Sequence, residues 1–274
     1  MDVSRLVTVI ITTHNRASLL PRAINSVISQ TYKNIEIIIV NDGSIDNTEE
    51  IVQDYMNKYG NIKHIKHEKA LGGNAARNSG VRAAGGEFIA GLDDDDEFTP
   101  DRIEVLMNNY SDEYSLITSR AIKVTKTYKE KTKYIPEVSL DTMLYFNAIG
   151  NQVLVKRDNI IGAGFFDENL IRYQDYDMWL RIIEKYGNAK TVNKVTQIMH
   201  YEHDVASNNT IKNNFLGAFF FYKKHRHLMT KSHKKMQLYI IFKLRNKSLT
   251  LKKVRIFLTF KTYKTILKYI ISGH

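Results

Sequence analysis

Cysteine is absent from this chain of 274 residues, and proline occurs only three times. The lack of cysteine excludes disulfide bonds and thiolate metal sites. Proteins of a reducing compartment commonly have no disulfide bonds. No apolar run approaches the ~20 residues that a membrane-spanning helix needs. The first residues also lack the charged start, apolar stretch and small-residue cleavage site of a signal peptide. We therefore expect a cytoplasmic protein.

Acidic residues are missing from the last quarter of the chain. Residues 205–274 contain 16 of the 40 Lys and Arg residues and none of the 29 Asp and Glu residues. Residues 1–204 therefore carry a net negative charge, although the whole chain has a formal net charge of +11. So sharp a change predicts two parts with different partners, a domain over residues 1–204 and a basic tail over residues 205–274.

Short β-branched runs alternate with amphipathic stretches through the first hundred residues. The runs end in polar loops, as buried parallel strands do when helices connect them. This alternation predicts an α/β protein with an open, mostly parallel sheet. Ligands bind such sheets at the carboxyl ends of the strands, so the loops there should meet in one crevice. The predicted strands are 7–11, 35–40, 62–65 and 87–92, and the predicted helices begin near residues 19, 46 and 72.

The second hundred residues continue the α/β pattern less regularly. A helix is predicted over residues 101–110, a strand over 115–119 and a polar excursion rich in Lys and Thr after that strand. A further strand is predicted near residues 153–155 and a helix over 175–186.

Four consecutive carboxylates, Asp93 to Asp96, follow the predicted strand that ends at Leu92. Like charges side by side repel one another, and folding alone gives no reason to collect them at the end of a buried strand. Hard divalent cations such as Mg²⁺ and Mn²⁺ prefer carboxylate oxygens, and sites that share a cation with phosphates use one or two carboxylates. The alternative is a solvated acidic turn. The apolar strand before the cluster favours the cation.

Five short motifs occur in order along the chain and together resemble the signatures of the family 2 glycosyltransferases with the GT-A fold. The resemblance covers residues 6–204. It implies a GT-A sheet flanked by helices, with a nucleotide-binding half over residues 1–100 and an acceptor-binding half over residues 101–204. The motifs are VIITTHNR at 9–16, VNDGS at 40–44, ARNSG at 76–80, LDDDD at 92–96 and QDYDMW at 174–179.

The resemblance implies a uridine-nucleotide site in the first half. Asp42 matches the base-reading aspartate that accepts the uracil N3–H, although Asp before Gly is also a frequent turn residue. His14 matches a position that stacks on the base, and Thr12 is placed to bond the nucleoside. Arg77 either meets the diphosphate or locks the aspartate loop through a carboxylate. The implied nucleotide-binding residues are Thr12, His14, Asn15, Arg16, Asp42, Gly43, Ser44, Asn74, Arg77, Asp93 and Asp94.

The same resemblance implies a metal site in the acidic loop. Asp95 corresponds to the direct ligand of Mn²⁺ or Mg²⁺, and Asp93 to the residue near the ribose and the metal waters. Asp94 takes the variable place, and Asp96 is expected to brace the loop. The cation would neutralise the charge that develops on the leaving UDP.

Asp175 matches the general base of the family. In an inverting transfer this carboxylate takes the proton of the acceptor hydroxyl. The alternative for Asp175 is a helix N-cap. Trp179, the only tryptophan, either packs its ring against the acceptor sugar or fills the core. His200 and His203 should point to opposite faces of a strand and so form no joint metal site, although one of them could touch the diphosphate.

The basic tail is predicted to be helical from residue 211, and its last helix carries a single apolar stripe. A basic, aromatic amphipathic helix suits an anionic membrane surface. The alternative is a helix packed on the domain with a solvated basic face, and the acidic first domain argues against nucleic acid. The stripe consists of Ile256, Phe260, Tyr263, Leu267 and Ile270.

Taken together, the sequence and the resemblance predict a metal-dependent, inverting glycosyltransferase. It would move a hexose, with glucose or galactose as our guess, from a UDP-sugar to a lipid-linked saccharide in O-antigen or capsule synthesis. It would act in the cytoplasm, attached peripherally to the membrane. The alternatives are a sugar-nucleotide hydrolase or nucleotidyltransferase, and an adaptor that binds membrane or nucleic acid beside a degenerate GT-A domain.

Overall fold

The computed structural model describes residues 5–201 and 208–245. These residues form a single ten-stranded sheet and nine helices. The helices are α1 Leu20–Ile28, α2 Thr48–Lys58, α3 Gly73–Ala83, α4 Arg102–Asn108, α5 Leu140–Tyr145, α6 Arg157–Gly162, α7 Gln174–Tyr186, α8 Asn208–His225 and α9 Lys231–Arg245.

The sheet has the order β3-β2-β1-β4-β9-β6-β10-β5, with β7 beside β6 and β8 beside β10. Strands β1 to β4 are mutually parallel, β9 runs against β4 and β6, and β6 and β10 are parallel to each other. The strands are β1 Val7–Thr13, β2 Ile35–Asn41, β3 Ile62–Lys66, β4 Phe88–Asp93, β5 Glu97–Phe98, β6 Leu116–Val124, β7 Lys129–Lys131, β8 Glu137–Val138, β9 Leu154–Lys156 and β10 Ala189–His200.

Both faces of the sheet are buried, which explains the continuous apolar runs of its central strands. Alternate residues of a strand point to opposite faces. Ile10 and Ile38 accordingly belong to one core cluster, while Val9 and Ile37 belong to the other. A strand that is buried on both sides reads as an unbroken Val and Ile run rather than an alternating one.

The chain reverses its direction of winding between β1 and β4, and this point places the functional loops. From β1 the sheet grows outward through β2 and β3, and on the other side through β4. Crevices form at the carboxyl ends of strands at such a point. The ends of the three central strands, Thr13, Asn41 and Asp93, lie side by side there.

The α/β class and the open, mostly parallel sheet are confirmed. Strand β6 is longer than expected because it continues through Val124 into a hairpin with β7, and β10 was not delimited in advance. Part of the predicted tail packs on the sheet domain, since Phe221 of α8 and Met229 share a core cluster with Ile10. The apolar stripe over residues 256–270 lies outside the described residues. Among the helices described, none is both long enough and apolar enough to cross a bilayer.

Candidate active site

The loop after β2 turns at Gly43, and the turn brings Asp42 under the chain at residues 69–72. Gly43 has a φ of +67°, and a Cβ there would lie 2.5 Å from the backbone of Lys69 and of Ala70. Only glycine tolerates both the left-handed conformation and so close a backbone. The sequence therefore places Gly after Asp42 for a local steric reason.

Three hydrogen-bond donors surround the buried Asp42 carboxylate and fix its orientation. Its Oδ1 accepts hydrogen bonds from His67 Nδ1 at 2.7 Å and from the Leu71 N–H at 2.9 Å. Its Oδ2 accepts one bond, from the Gly72 N–H at 2.8 Å. Burial opposes ionisation, but these hydrogen bonds outweigh it and lower the pKa of Asp42. The ionised Oδ2 keeps an acceptor position for a further N–H donor.

The loop after β1 is tied to the loop after β2 beside this carboxylate. The ring of His14 lies with Nδ1 2.7 Å from the Asp42 carbonyl oxygen. The Asn15 N–H donates to Ser44 Oγ at 2.9 Å, and Asn15 is left-handed with a φ of 53°. Thr12 is the strand neighbour of Asp93. The predicted nucleoside residues are thus brought together at one edge of the sheet.

Asp93 has both of its oxygens occupied by neighbouring side chains. Arg77 donates to Oδ1 at 2.8 Å, and Asn151 Nδ2 donates to Oδ2 at 3.0 Å. Burial alone would lower the pKa of Arg77, but the charges of Asp175 and Asp93 raise it. Of the two roles open to Arg77 from the sequence, the structure shows the one that locks the aspartate loop.

Asp94 and Asp95 share one cation, Arg16. The guanidinium lies 2.9 Å from Asp94 Oδ1 and 2.8 Å from Asp95 Oδ2. Burial raises the pKa of both carboxylic acids despite this pairing, and the Asp93 charge adds to the effect at Asp95. The Asp95 side chain is 29% exposed and that of Asp94 only 5%. Asp95 is therefore the better placed of the two to meet a ligand.

Asp96 braces the acidic loop from the inside. Its Oδ2 accepts from Gln152 and Gln197, at 3.3 and 3.2 Å, and its Oδ1 accepts from the His200 N–H at 3.0 Å. Burial and the nearby Asp93 raise the pKa of Asp96 to about 7. The His200 ring is engaged by Glu97 at 2.6 Å, so the structure gives His200 a structural partner. His203 lies outside the described residues.

Asp175 is the second residue of α7 and faces the same group of charges. The N-cap of α7 is Tyr173, which is left-handed with a φ of 67°, so Asp175 is not the cap. Within residues 5–201 and 208–245 the Asp175 carboxylate accepts no hydrogen bond. Burial raises its pKa to about 7, with Arg77 opposing the shift and Asp93 adding to it. An unbonded carboxylate with a pKa near neutrality can accept a proton.

Two predicted contact residues are turned inward. Trp179 is 4% exposed and packs edge to face on Phe166 at 5.7 Å, so it fills the core, and it also borders the cavity that Asp175 lines. Asn74 donates through Nδ2 to the carbonyl oxygens of Asp167 and Leu170, both at 2.8 Å. Its amide group therefore holds the loop after residue 166 rather than facing the crevice.

Side chains of helix α8 bond to α7, the helix that carries Asp175. The buried Asp177 carboxylate bonds His225 Nε2 at 2.7 Å, Lys224 Nζ at 2.9 Å and Arg181 of its own helix at 2.8 Å. Burial opposes ionisation of Asp177, but these donors and charges lower its pKa to about 2. A Cβ on Gly217 of α8 would lie 2.8 Å from the Arg172 side chain. Helix α8, which follows in the sequence, therefore fixes the position of the start of α7.

The donor set at the end of β4 fits a hard divalent cation. Asp95 offers a partly exposed carboxylate beside Arg16, and burial together with the nearby Asp93 charge raises its pKa. The described part of the chain contains no cluster of three or more His, Cys, Asp or Glu side chains suited to a metal. A cation would thus depend on Asp95, with Asp93 near it, and on ligand phosphates and water. That is how proteins commonly hold Mg²⁺ beside a nucleotide.

His67 and Asn151 were missed by the sequence reasoning, although they orient Asp42 and Asp93. The position of His67, one residue beyond the end of β3, is a usable signal because it lies at the same sheet edge. Asn151 precedes β9 in an irregular segment and carries no local signal.

A cavity at this edge is bordered by residues of both halves of the predicted site. Its lining includes Thr12, Arg77, Asp93, Asn151 and Asp175. Polar residues thus converge where the sheet changes direction, and apolar side chains such as Phe166 and Trp179 also line the cavity.

Known proteins resemble this chain in sequence. Residues 8–166 match the family model described as glycosyl transferase family 2. The protein WcaA of Escherichia coli strain K12, named as a colanic acid biosynthesis glycosyl transferase, is 33% identical over 263 residues, covering 91% of this chain and 92% of WcaA. The glucosyltransferase WfaP of Escherichia coli is 30% identical over 217 residues, covering 76% of this chain and 82% of WfaP.

Solved structures agree on the fold. The S. aureus TarS 1–349 complex with UDP-GlcNAc superposes with a TM-score of 0.67 at 18% identity, covering 90% of this chain and 77% of that chain. The Pyrobaculum calidifontis mannosyltransferase PcManGT, in complex with GDP-Man and Mn²⁺, superposes with a TM-score of 0.60 at 16% identity, covering 99% and 88%. The chain is therefore a glycosyltransferase with the GT-A fold and belongs to glycosyl transferase family 2.

Proposed function

We propose that this glycosyltransferase moves a hexose from a UDP-sugar to a hydroxyl group of a lipid-linked saccharide, with a divalent cation and with inversion, during surface-polysaccharide synthesis. One observation carries the proposal. Asp93 at the end of β4 and the unbonded Asp175 at the start of α7 border the same cavity. A donor diphosphate near Asp93 would then have its sugar next to a base.

The contacts of Asp42 support the uridine donor. Its carboxylate stays ionised, so it is an acceptor only, and Oδ2 has room for one more N–H. Uracil presents N3–H as a donor, whereas cytosine presents N3 as an acceptor. We infer that Asp42 favours UDP over CDP, since an acceptor facing an acceptor leaves both unpaired.

Asp175 supplies the proton chemistry of the proposed transfer. The acceptor hydroxyl oxygen forms a bond to the anomeric carbon while the bond from that carbon to the UDP oxygen breaks, and the hydroxyl proton passes to the Asp175 carboxylate. A base with a pKa near the working pH is the most effective. Arg77 and Asn151 hold Asp93 in place beside this reaction. A bound Mn²⁺ or Mg²⁺ would supply charge neutralisation for the departing diphosphate.

The acceptor class comes from the relatives. The name of WfaP specifies UDP-glucose as its donor and a GlcNAc-diphosphoundecaprenol as its acceptor. WcaA is named for colanic acid biosynthesis. We propose an acceptor of the same chemical class for this chain, a saccharide on a polyprenyl diphosphate, and glucose or galactose as the transferred sugar.

Ligand-induced stabilisation tests the donor proposal. UDP with Mn²⁺ should raise the melting temperature more than either ligand alone, because a ligand that binds only the folded state stabilises it. At a hundredfold excess over Kd the gain is about 2.7 kcal/mol, or roughly 5–10 °C for a chain of this size. CDP with Mn²⁺ is the matched control and should give a clearly smaller shift. Equal shifts with UDP and CDP would contradict the assignment of Asp42, and no shift with any nucleotide would contradict the donor proposal.

Peripheral membrane attachment through residues 205–274 is also part of the proposal. Phe219 and Phe220 of α8 are 44% and 46% exposed within a segment that contains no acidic residue. Exposed aromatic rings beside basic groups suit the surface of an anionic bilayer.

Flotation with phosphatidylglycerol vesicles tests this attachment. We expect the full chain to float with the vesicles at low salt, and the double variant Phe219→Ser, Phe220→Ser to float several-fold less because apolar insertion is lost. Ile161→Ser, which removes an exposed apolar side chain on α6, is the control and should float normally. Equal flotation of the double variant and the wild type would show that these two rings do not contact the bilayer.

A further inference from the structure

A basic hairpin rises beside the candidate active site and is not explained by the chemistry above. We call residues 120–134, which comprise the end of β6, a turn and β7, the basic hairpin. The turn is closed by the Thr125 N–H, which donates to the Tyr128 carbonyl oxygen at 3.0 Å. This segment carries six basic residues and one acidic residue, Glu130. The basic residues are Arg120, Lys123, Lys126, Lys129, Lys131 and Lys133.

The lysines of the basic hairpin have no anionic partner in the described part of the chain. Within residues 5–201 and 208–245 none of the five forms an ion pair or a side-chain hydrogen bond. Lys126, Lys129, Lys131 and Lys133 are exposed. Tyr128 and Tyr134 are also exposed, at 57% and 41%. The surface is thus rich in unneutralised positive charge, with two aromatic rings among the lysines.

Topology places the basic hairpin at the edge of the sheet that carries the acidic loop. Strand β6 is antiparallel to β9, and β9 is antiparallel to β4, so β6 and β4 run in the same direction. Their carboxyl ends, Val124 and Asp93, therefore lie at the same edge.

A direct chain of contacts links the two features. Val124 pairs with His200 on the neighbouring strand β10, and the His200 N–H donates to Asp96 at 3.0 Å. Adjacent strands lie about 4.8 Å apart. The strand residue next to the turn of the basic hairpin is therefore one strand away from a residue bonded to the acidic loop.

The basic hairpin also lies on the acceptor side of the crevice. The nucleotide contacts proposed above come from β1, β2 and β4, whereas β6 and β10 are on the far side of β9. An anion bound by the hairpin is thus a group other than the donor diphosphate. Lysine ammonium groups bind phosphates as compact point charges.

From this geometry we propose that the basic hairpin binds the diphosphate of the lipid-linked acceptor, with Lys126, Lys129 and Lys131 as the main contacts. This assignment rests on the proposed function, because it takes the acceptor to carry a diphosphate. It makes the basic hairpin a determinant of acceptor choice, one that distinguishes a diphosphate-linked saccharide from the same saccharide without phosphate. Contacts of this kind are screened by salt, so the preference weakens as the ionic strength rises.

A triple substitution with a charge-preserving control tests the proposal. The triple variant Lys126→Gln, Lys129→Gln, Lys131→Gln removes three charges, and the triple Arg variant at the same positions keeps them. The probes are GlcNAc diphosphate on a decyl chain, which needs no membrane, and decyl N-acetylglucosaminide, which has no phosphate. We expect the Gln variant to raise the KM for the diphosphate probe about tenfold at low salt, and the Arg variant to stay near the wild type. The KM for the glycoside and for the donor should not change.

Three outcomes overturn the assignment. The first is an equal KM of the wild type and the Gln variant for the diphosphate probe. The second is an increase in the donor KM, which would place the hairpin in the nucleotide site. The third is a Gln variant that uses the diphosphate probe normally but no longer floats with phosphatidylglycerol vesicles, which would make the basic hairpin a membrane contact.

Calorimetric binding of geranyl diphosphate separates a failure of this proposal from a failure of the proposed function, because it requires no turnover. If the wild type transfers no sugar but binds geranyl diphosphate and the Gln variant does not, the function is wrong and the hairpin site stands. The opposite result is that the wild type transfers sugar but does not bind geranyl diphosphate, and that the Gln variant has the same KM for the diphosphate probe as the wild type. The function then stands and the hairpin site is wrong.

Discussion

Asp175→Asn should reduce sugar transfer by about 10²–10⁴-fold, which is the usual contribution of a positioned general base. The amide has nearly the same shape as the carboxylate but cannot take the hydroxyl proton. Binding of UDP and Mn²⁺ should remain, because Asp175 bonds none of the groups that we assign to the nucleotide. Steady-state transfer assays and the UDP-induced shift in melting temperature measure the two effects separately.

The same variant should be more stable than the wild type at pH 8. Burial raises the pKa of Asp175 to about 7 in the folded chain, whereas an unfolded aspartate titrates near pH 3.9. Between these values the folded state holds a proton that the unfolded state has lost, so the free energy of unfolding falls as the pH rises. Asparagine resembles the neutral acid and avoids this loss.

The difference in melting temperature between Asp175→Asn and the wild type should therefore grow from about pH 4 to pH 7 and then level off. A loss of activity with a gain of stability is the expected result of replacing a catalytic carboxylate whose ionised form is destabilised by burial. Unchanged transfer would refute the role of Asp175 as the base, and a variant less stable at every pH would indicate a structural role.

Asp95→Ala should abolish the Mn²⁺-dependent part of UDP binding and lower transfer by about 10²-fold or more, a typical cost of losing stabilisation of developing charge. The UDP shift measured with Mn²⁺ should fall to the value for UDP alone. The unliganded fold should tolerate the change, because one of several mutually repelling charges is removed and Arg16 keeps its contact with Asp94.

Asp94→Asn is the matched control for this second prediction. It removes a carboxylate from the same loop, at a side chain that is only 5% exposed. The Mn²⁺-dependent shift should survive in this variant. If Asp95→Ala keeps a full Mn²⁺-dependent shift, or if Asp94→Asn loses it, the assignment of the cation to Asp95 is wrong.

The sequence predicted the part of the fold in which local pattern and tertiary burial agree. The apolar runs that became β1, β2 and β4 are buried on both faces, and the polar loops after them lie at one edge, so Asp42 and Asp93 could be placed in advance. Strand β10 was not delimited because its polar and apolar residues do not alternate regularly across its two bulges. Short elements such as β5 are defined by pairing alone.

Side-chain direction was less accessible than residue position. Asn74 and Trp179 occupy the predicted places, yet the first bonds a loop almost a hundred residues away and the second fills the core. His67 meets Asp42 across 25 residues. Such contacts arise only when distant segments pack together, so the local sequence pattern does not predict them.

The contacts between α7 and α8 make the folding of the acidic domain over residues 1–204 depend on the first part of the basic tail. Without α8, the fully buried Asp177 would keep Arg181 but lose the two hydrogen-bond donors supplied by Lys224 and His225. Loss of Phe221 would also leave a hole beside Tyr176, on which it stacks at 4.0 Å. A minimal catalytic fragment must therefore extend at least through His225, well past the point where the charge of the sequence changes sign.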